Sequence, residues 1–320
     1  MRKFVIVLGA LLVLLAVFFV FGKSIYSRPG ILQVTKNVVI PKGNTEAILK
    51  HLQTEHVIGN DFINKIVFQL AAKMTENQGT LHAAEFSFPK NASIHQVLQI
   101  LRHAKPVQHE LTIPEGLTRY QITDLINQAP FLTGHIEVPA EGSILPQTYA
   151  YEFGYSRDKL LQRTQVAMQK ALDQVWKDRQ PIVQVKTPRE LLTLASIVEK
   201  ETALSRERPM IARVFINRLQ KEMRLQSDPT VIYALTDGHG KLDRPLLRRD
   251  WEVESPYNTY WIAGLPPSPI CSPGKAALEA VAHPADGNML YFVANGTGGH
   301  SFSSTLTEHN HNVHTYKEKK

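Results

Sequence analysis

The chain is nearly devoid of cysteine. Cys271 is its single one among 320 residues, so no disulfide can form within the chain and the fold must stand without one. Long low-complexity tracts are missing too. Hydrophobic residues make up 43% and charged residues 20%, a balance that supports packed cores. Zinc-finger spacings, RNA-binding signatures and basic heptad regions are absent, which disfavours nucleic acid as a partner. No His-Glu-x-x-His string occurs, so the common zinc-protease signature is missing. Only one long apolar run exists, and it lies at the N-terminus.

That run covers residues 4–21 and follows Arg2 and Lys3. As a helix it spans about 27 Å, close to a bilayer core. Cleavable signals have apolar regions of about 7–15 residues and a small-x-small cleavage site, and Val20-Phe21-Gly22 fits that poorly. An uncleaved transmembrane anchor is therefore predicted at 4–22, with residues 1–3 cytoplasmic. Basic residues flank the run on both sides (Arg2 and Lys3 against Lys23 and Arg28), so the positive-inside rule decides little. A long C-terminal region behind one anchor is most simply exported. The formal net charge of +7 suits an anionic partner such as lipid headgroups or an acidic wall polymer, or simply a soluble basic surface.

The length allows two domains after the anchor. Three segments share one pattern: Val39-Ile40-Pro41-Lys42-Gly43-Asn44-Thr45, Phe86-Ser87-Phe88-Pro89-Lys90-Asn91-Ala92-Ser93 and Leu111-Thr112-Ile113-Pro114-Glu115-Gly116-Leu117-Thr118. In each, proline ends a short strand, Gly or Asn takes the turn, and Thr or Ser caps a helix. The helices are expected at about 44–54, 93–103 and 118–127, with another at about 60–74. Strand–helix–helix–strand over about 37–88 is a βααβ unit, the layout of LysM-type modules that bind N-acetylglucosamine polymers. A small α+β domain without a ligand has the same layout. Further helices are expected at about 157–177, 188–202 and 206–222. Short strands and loops rich in Pro, Gly and Asn follow, and the charged tail beyond about 312 is expected to fray. The fold class is α+β: an N-terminal transmembrane helix, a small module at 37–105 and a larger mixed domain at 107–320.

Candidate chemistry centres on the helix of Ala195-Ser196-Ile197-Val198-Glu199-Lys200-Glu201-Thr202. A carboxyl in an apolar wall has a raised pKa and can serve as a general acid. On a helical wheel Glu199 falls near one edge of the apolar arc and Glu201 near the other, so the wheel does not choose between them. Solvated glutamates paired with Arg206, Arg208 or Lys200 are the alternative. Downstream strings containing Gln226, Asp228, Tyr257, Asn258, Tyr260 and His300 are dense in amides, hydroxyls and tyrosines. Such groups line carbohydrate clefts, because sugars offer hydroxyls to hydrogen-bond and CH faces to stack on rings. His309, His311 and His314 cluster near the C-terminus and read as a solvated segment more than a metal site. Arg213, Arg218 and Arg224 could hold acidic peptide stems, or form ion pairs on a helix surface.

These strings, together with Val214-Phe215-Ile216-Asn217-Arg218-Leu219, Leu225-Gln226-Ser227-Asp228-Pro229-Thr230-Val231, Tyr257-Asn258-Thr259-Tyr260 and Gly264-Leu265-Pro266-Pro267, make the chain resemble the endolytic murein transglycosylases of the MltG (YceG-like) type. The resemblance covers nearly the whole chain. It implies cleavage within peptidoglycan glycan strands, at the MurNAc-GlcNAc β-1,4 bond, by a domain held in the periplasm by a single-pass inner-membrane anchor. It assigns the acid/base role to Glu199, with Glu201 as second choice or support. The candidates for substrate binding are Glu141, Gln147, Gln226, Asp228, Tyr257, Asn258, Tyr260 and His300. Family members often carry Asp where Glu141-Gly142-Ser143-Ile144-Leu145-Pro146-Gln147 has Gln147, so a carboxylate at 147 is not required here. Proton transfer needs neither metal nor nucleotide, so no cofactor and no metal are expected. Penicillin-binding glycosyltransferase machinery is the partner that the resemblance implies. Two rival readings stand beside it: a non-catalytic peptidoglycan-binding scaffold, and a metal-dependent hydrolase using the terminal histidines.

Overall fold

A computed structural model describes residues 2–318 of the chain. Met1, in the expected cytoplasmic tail, and Lys319 and Lys320, at the tip of the charged tail, lie outside the described residues. The fold is mixed α+β, as expected, and divides into two compact units. Residues 1–109 with 150–154 form the first, and residues 110–149 with 155–320 form the second.

The first unit begins with helix α1 (Arg2–Ser27). Its stretch Gly9–Ser27 is long and apolar enough to cross a membrane. Leu11, Leu14, Phe18 and Phe21 are exposed, whereas Ile25 is 3% exposed and packs into the core of this unit. Strand β1 (Lys36–Val39), helices α2 (Thr45–Thr54) and α3 (Phe62–Met74), strand β2 (Glu85–Phe88) and helix α4 (Ile94–His103) follow. β1 pairs antiparallel with β2, setting Val38 opposite Phe86. This is the expected βααβ order. α4 shows why these segments are helical: Ile94, Val97, Leu98 and Leu101 recur at i, i+3, i+4 and i+7 and are all buried. With Phe68, Phe86, Phe88, Leu49 and Leu52 they form one core, and burying each such side chain contributes about 1.5–3 kcal/mol.

The turn chemistry holds with one correction. Ser93 caps α4 in a capping box with Gln96, and Thr118 caps the next helix in a box with Gln121. Asn91 and Gly116 take the left-handed conformation. In the first segment the cap is Asn44 and not Thr45, because the Asn44 side chain already accepts from the Ala47 N–H.

The remaining elements are β3 (Gln108–Thr112), α5 (Arg119–Gln128), β4 (Leu132–Thr133), β5 (Thr148–Glu152), β6 (Tyr155–Ser156), α6 (Arg157–Asp178), α7 (Pro188–Glu201), α8 (Arg208–Gln220), α9 (Asp228–Thr236), α10 (Lys275–Ala282), β7 (Tyr291–Ala294), β8 (His300–Ser303) and α11 (Leu306–Glu318). Three small strand pairs form: β3 with β5, β4 with β6 in parallel, and β7 with β8 antiparallel. Gln108, His109 and residues 150–154 belong to the first unit, and the rest of these elements to the second. α7 is the axis of the second unit. Thr187 caps it in a box with Glu190, and every residue over 191–198 is buried. α6, α8, α9 and α10 pack around it.

Three helices depart from expectation. The string beginning Asp228-Pro229 reads as a loop but opens α9, since proline in the first turn suits a helix start. α10 lies in the Pro- and Gly-rich stretch read as loop and strand. α11 runs through residues 313–318, where fraying is expected. None of its residues is fully buried, and the His309 ring stacks on Tyr291 at 5.1 Å.

Candidate active site

Glu199 sits in the last turn of α7, where the buried face of that helix meets two loops. Ser196, one turn earlier, accepts the Ile270 N–H at 3.0 Å, and its carbonyl faces the Cys271 thiol at 3.3 Å. These contacts lay residues 270–274 along α7. The turn after β3 joins the same place: Gly116 N–H donates to the Ser272 carbonyl at 3.0 Å and Ser272 N–H to the Leu117 carbonyl at 2.8 Å. Lys200 Nζ reaches the Gly116 carbonyl at 3.3 Å. Gly116 has φ +77°, and a Cβ there would stand 3.6 Å from Lys200 Cδ and 3.8 Å from Glu199 Cγ.

The side chain of Glu199 is 5% exposed. Its Oε2 accepts the Gly274 N–H at 2.9 Å, and its Oε1 accepts from Arg208 Nη2 at 2.9 Å. The same nitrogen lies 3.3 Å from Glu115 Oε2. Arg208 is buried, and its Nε meets no acceptor among the described residues. Burial pushes the Glu199 carboxyl above its ordinary value, and Glu115 adds to the rise. The Gly274 N–H and Arg208 oppose it without cancelling it. A group so held can carry a proton nearer neutrality and release it to a basic oxygen.

Glu201 ends the same helix in a different setting. Ser227 donates its hydroxyl to Glu201 Oε1. Burial drives this carboxyl up to about 7, Asp228 pushes the same way, and Ser227 and Arg218 pull against them. Tyr260 OH donates to Asp228 Oδ1 at 2.7 Å, and the Tyr260 ring stacks nearly parallel on exposed Trp251 at 5.3 Å. Gln226 is exposed at a left-handed position, φ 52°, where its N–H donates to the Thr259 carbonyl. The structure thus gathers Glu201, Gln226, Asp228 and Tyr260 around Ser227 and Thr259.

Other sequence-predicted residues fall elsewhere. Glu141 is buried. Its Oε1 accepts the Arg119 N–H at 2.9 Å and its Oε2 the Tyr233 hydroxyl at 3.1 Å, so both oxygens are engaged within the fold. Burial raises its pKa as well. Asn258 is fully buried and ties its loop together through the Trp251 and Val253 carbonyls and the Tyr260 N–H. Tyr257 OH shares a hydrogen bond with Ser268 at 2.6 Å, and its ring packs on Tyr233. Gln147 is exposed just ahead of β5, where its carbonyl accepts the Ile113 N–H. His300 pairs with Glu207 through both its backbone N–H, at 3.0 Å, and its ring Nδ1, at 2.7 Å. Burial raises Glu207, but the His300 contacts together with the charge of Arg206 outweigh it and the net movement is downward.

Sequence alone does not single out Glu115, Gly274 or Trp251. Glu115 was in plain view within Pro114-Glu115-Gly116-Leu117-Thr118, a string whose turn chemistry already accounts for its neighbours. Arg208 is the partner that the solvated-glutamate alternative names, yet the pair is buried. The other arginines bond carbonyls: Arg213 to Ala285, Arg218 to Leu225 and Leu290, and Arg224 to Tyr260. That corrects the expected surface ion pairs. Among the described residues no group of three or more His, Cys, Asp or Glu side chains is arranged to hold a metal ion.

The YceG-like family model matches residues 38–315. An endolytic murein transglycosylase of Bacillus subtilis (strain 168) is 38% identical over 176 residues, covering 55% of this chain and 48% of that protein. One from Streptococcus pneumoniae serotype 2 is 30% identical over 299 residues, covering 78% and 53%. The chain spans about half the length of these relatives. The 2.6 Å crystal structure of a yceG-like protein from Listeria monocytogenes superposes with a TM-score of 0.53 at 31% identity, covering 87% of this chain and 99% of that one. With the family model spanning most of both units, the chain belongs to the YceG-like family.

Proposed function

We propose that this protein is an endolytic lytic transglycosylase that cuts the MurNAc-GlcNAc β-1,4 bond inside peptidoglycan strands. The observation that carries this reading is the Glu199 carboxyl, buried at the end of α7 with its pKa raised, in a chain whose relatives are named endolytic murein transglycosylases. Glu199 first gives its proton to the glycosidic oxygen, and the C1–O bond breaks to release the GlcNAc 4-hydroxyl. The MurNAc C6 hydroxyl then attacks C1, and its proton passes to the Glu199 carboxylate. The product is a 1,6-anhydro-MurNAc end, and no water is consumed. Ordinary glycosidases need a second carboxylate as base or nucleophile. Here the sugar's own hydroxyl takes that role, so proximity stands in for a bound water. Exposed Gln226 and Asp228, with Tyr260 stacked on Trp251, suit a sugar-binding wall.

The same reading makes α1 a single-pass inner-membrane anchor with the N-terminus cytoplasmic and the following units periplasmic. The βααβ arrangement of the first unit serves as a LysM-like glycan holder, and wall-synthesis glycosyltransferases of the penicillin-binding type are the partners. Release or termination of nascent strands is the cellular role.

A non-catalytic peptidoglycan-binding scaffold is the second reading, favoured by one observation: both Glu199 oxygens are engaged within the fold. Digestion of purified peptidoglycan by wild type and Glu199→Gln, with the ends identified by mass spectrometry, separates the two. Anhydro ends from wild type alone support the transglycosylase. Reducing ends would make it a hydrolase, and intact strands from both proteins would leave the scaffold.

A further inference from the structure

Two carboxyl groups share one guanidinium beside the C-terminus of α7. Arg208 Nη2 lies 2.9 Å from Glu199 Oε1 and 3.3 Å from Glu115 Oε2. The two carboxyl groups differ in setting. The Glu199 side chain is 5% exposed and that of Glu115 43%. Glu115 is also pressed against residue 274, where a Cβ would stand 1.8 Å from its Oε1, so only glycine leaves room for it. The turn carrying Glu115 does not depend on that side chain. Gly116, Leu117 and Ser272 bond through their backbones, and Lys200 Nζ holds the Gly116 carbonyl.

We propose that Glu115 is a positioning residue that divides Arg208 between two carboxyl groups, so that Glu199 is oriented by the guanidinium without being locked to it as a private ion pair. The proposal rests on Glu199 being the acid/base of the proposed reaction. An arginine paired with one buried carboxylate favours the ionised form strongly, and an ionised Glu199 cannot protonate a leaving oxygen. A second carboxyl on the same nitrogen weakens that bias by drawing off part of the positive charge. The charged and titratable groups facing Glu199 are Arg208 from α8, Glu115 from the turn after β3, Lys200 from its own helix and the Cys271 thiol from the segment before α10. Of these, Glu115 is the carboxyl whose charge opposes ionisation of Glu199.

The test uses the full chain in detergent and three variants: Glu115→Gln, Glu115→Asp and Glu199→Gln. Glycan cleavage is followed from about pH 4.5 to 8.5. For Glu115→Gln, kcat at pH 7 should fall about tenfold with KM changed less than about twofold, and the alkaline limb of the rate profile should move to lower pH by about one unit. Glu115→Asp should keep its limb near that of wild type. Titration of the Glu199 carboxyl by 13C NMR, in wild type and Glu115→Gln, reads the same shift without relying on turnover. An unmoved limb and an unmoved titration would overturn the proposal, as would a loss confined to KM. The Glu199→Gln control keeps the two readings apart. If that variant cleaves as well as wild type, the acid/base assignment fails first. If it is inactive while Glu115→Gln keeps the wild-type profile, only the positioning role falls.

Discussion

Glu199 and Arg208 form an ion pair 2.9 Å long in which neither side chain is more than 8% exposed. A buried pair is costly to break, because the partner left behind is an uncompensated charge. Arg208→Ala should therefore lower unfolding stability by about 3–5 kcal/mol at pH 8. At pH 5 the loss should shrink, since the orphaned Glu199 can then take a proton. Urea denaturation at both pH values checks this, and an equal, small loss at both would mean that the pair is effectively solvated.

Gly274 has φ −73° and ψ 167°, a conformation open to alanine. What forbids a side chain there is Glu115, whose Oε1, Cδ and Cγ would lie 1.8, 2.3 and 2.9 Å from the new Cβ. Gly274→Ala should expel Glu115 into solvent and break its contact with Arg208. Activity should fall about tenfold, with a stability change below about 1 kcal/mol because the expelled group is half-exposed. Glycan digestion beside a thermal melt measures both, and unchanged activity would contradict the prediction.

Glu201 supplies a pH signature. Its carboxyl is raised from 4.5 to about 7 in the folded protein. A folded pKa above the unfolded one means that the native state binds more protons between those values. The contribution is therefore fully present below pH 4.5 and is lost as pH rises through 7. Wild type should lose about 2–3 kcal/mol from this group between pH 4.5 and 8. Glu201→Gln should show a flatter stability profile and be relatively more stable at pH 8. Parallel profiles for the two proteins would show that Glu201 titrates alike in the folded and unfolded chains.

Chelation separates proton-transfer chemistry from metal chemistry. Cleavage by wild type should survive dialysis against EDTA unchanged. Loss of cleavage, restored by a divalent cation, would favour a hydrolase built on His309, His311 and His314. In the structure His309 stacks on Tyr291 and His314 pairs with Glu318 in the next turn of α11.

The elements readable in sequence are those with strong local signals. α4 and α7 announce themselves through their apolar residues, and their observed ends lie within a residue of the expected ones. α11 does not, because none of its thirteen residues is fully buried and it is held by contacts with β7 and β8. Glu141 and Asn258 look like polar groups awaiting a sugar. In the structure their hydrogen bonds go to the fold itself, since a buried polar side chain must find partners wherever it lies.

Local chemistry thus determined the helices with strong apolar patterns and caps, the three proline turns, the long apolar run and the family strings, because each depends on residues within a few positions of one another. The helical wheel left Glu199 and Glu201 equal. Only the tertiary structure separated their surroundings. It brought Gly274, 75 residues away, and Glu115 and Arg208, 93 residues apart, to one carboxyl, and gave the other to Ser227. A pKa is set by burial and by neighbouring charge, and neighbours of that kind are chosen by the fold and not by spacing along the chain.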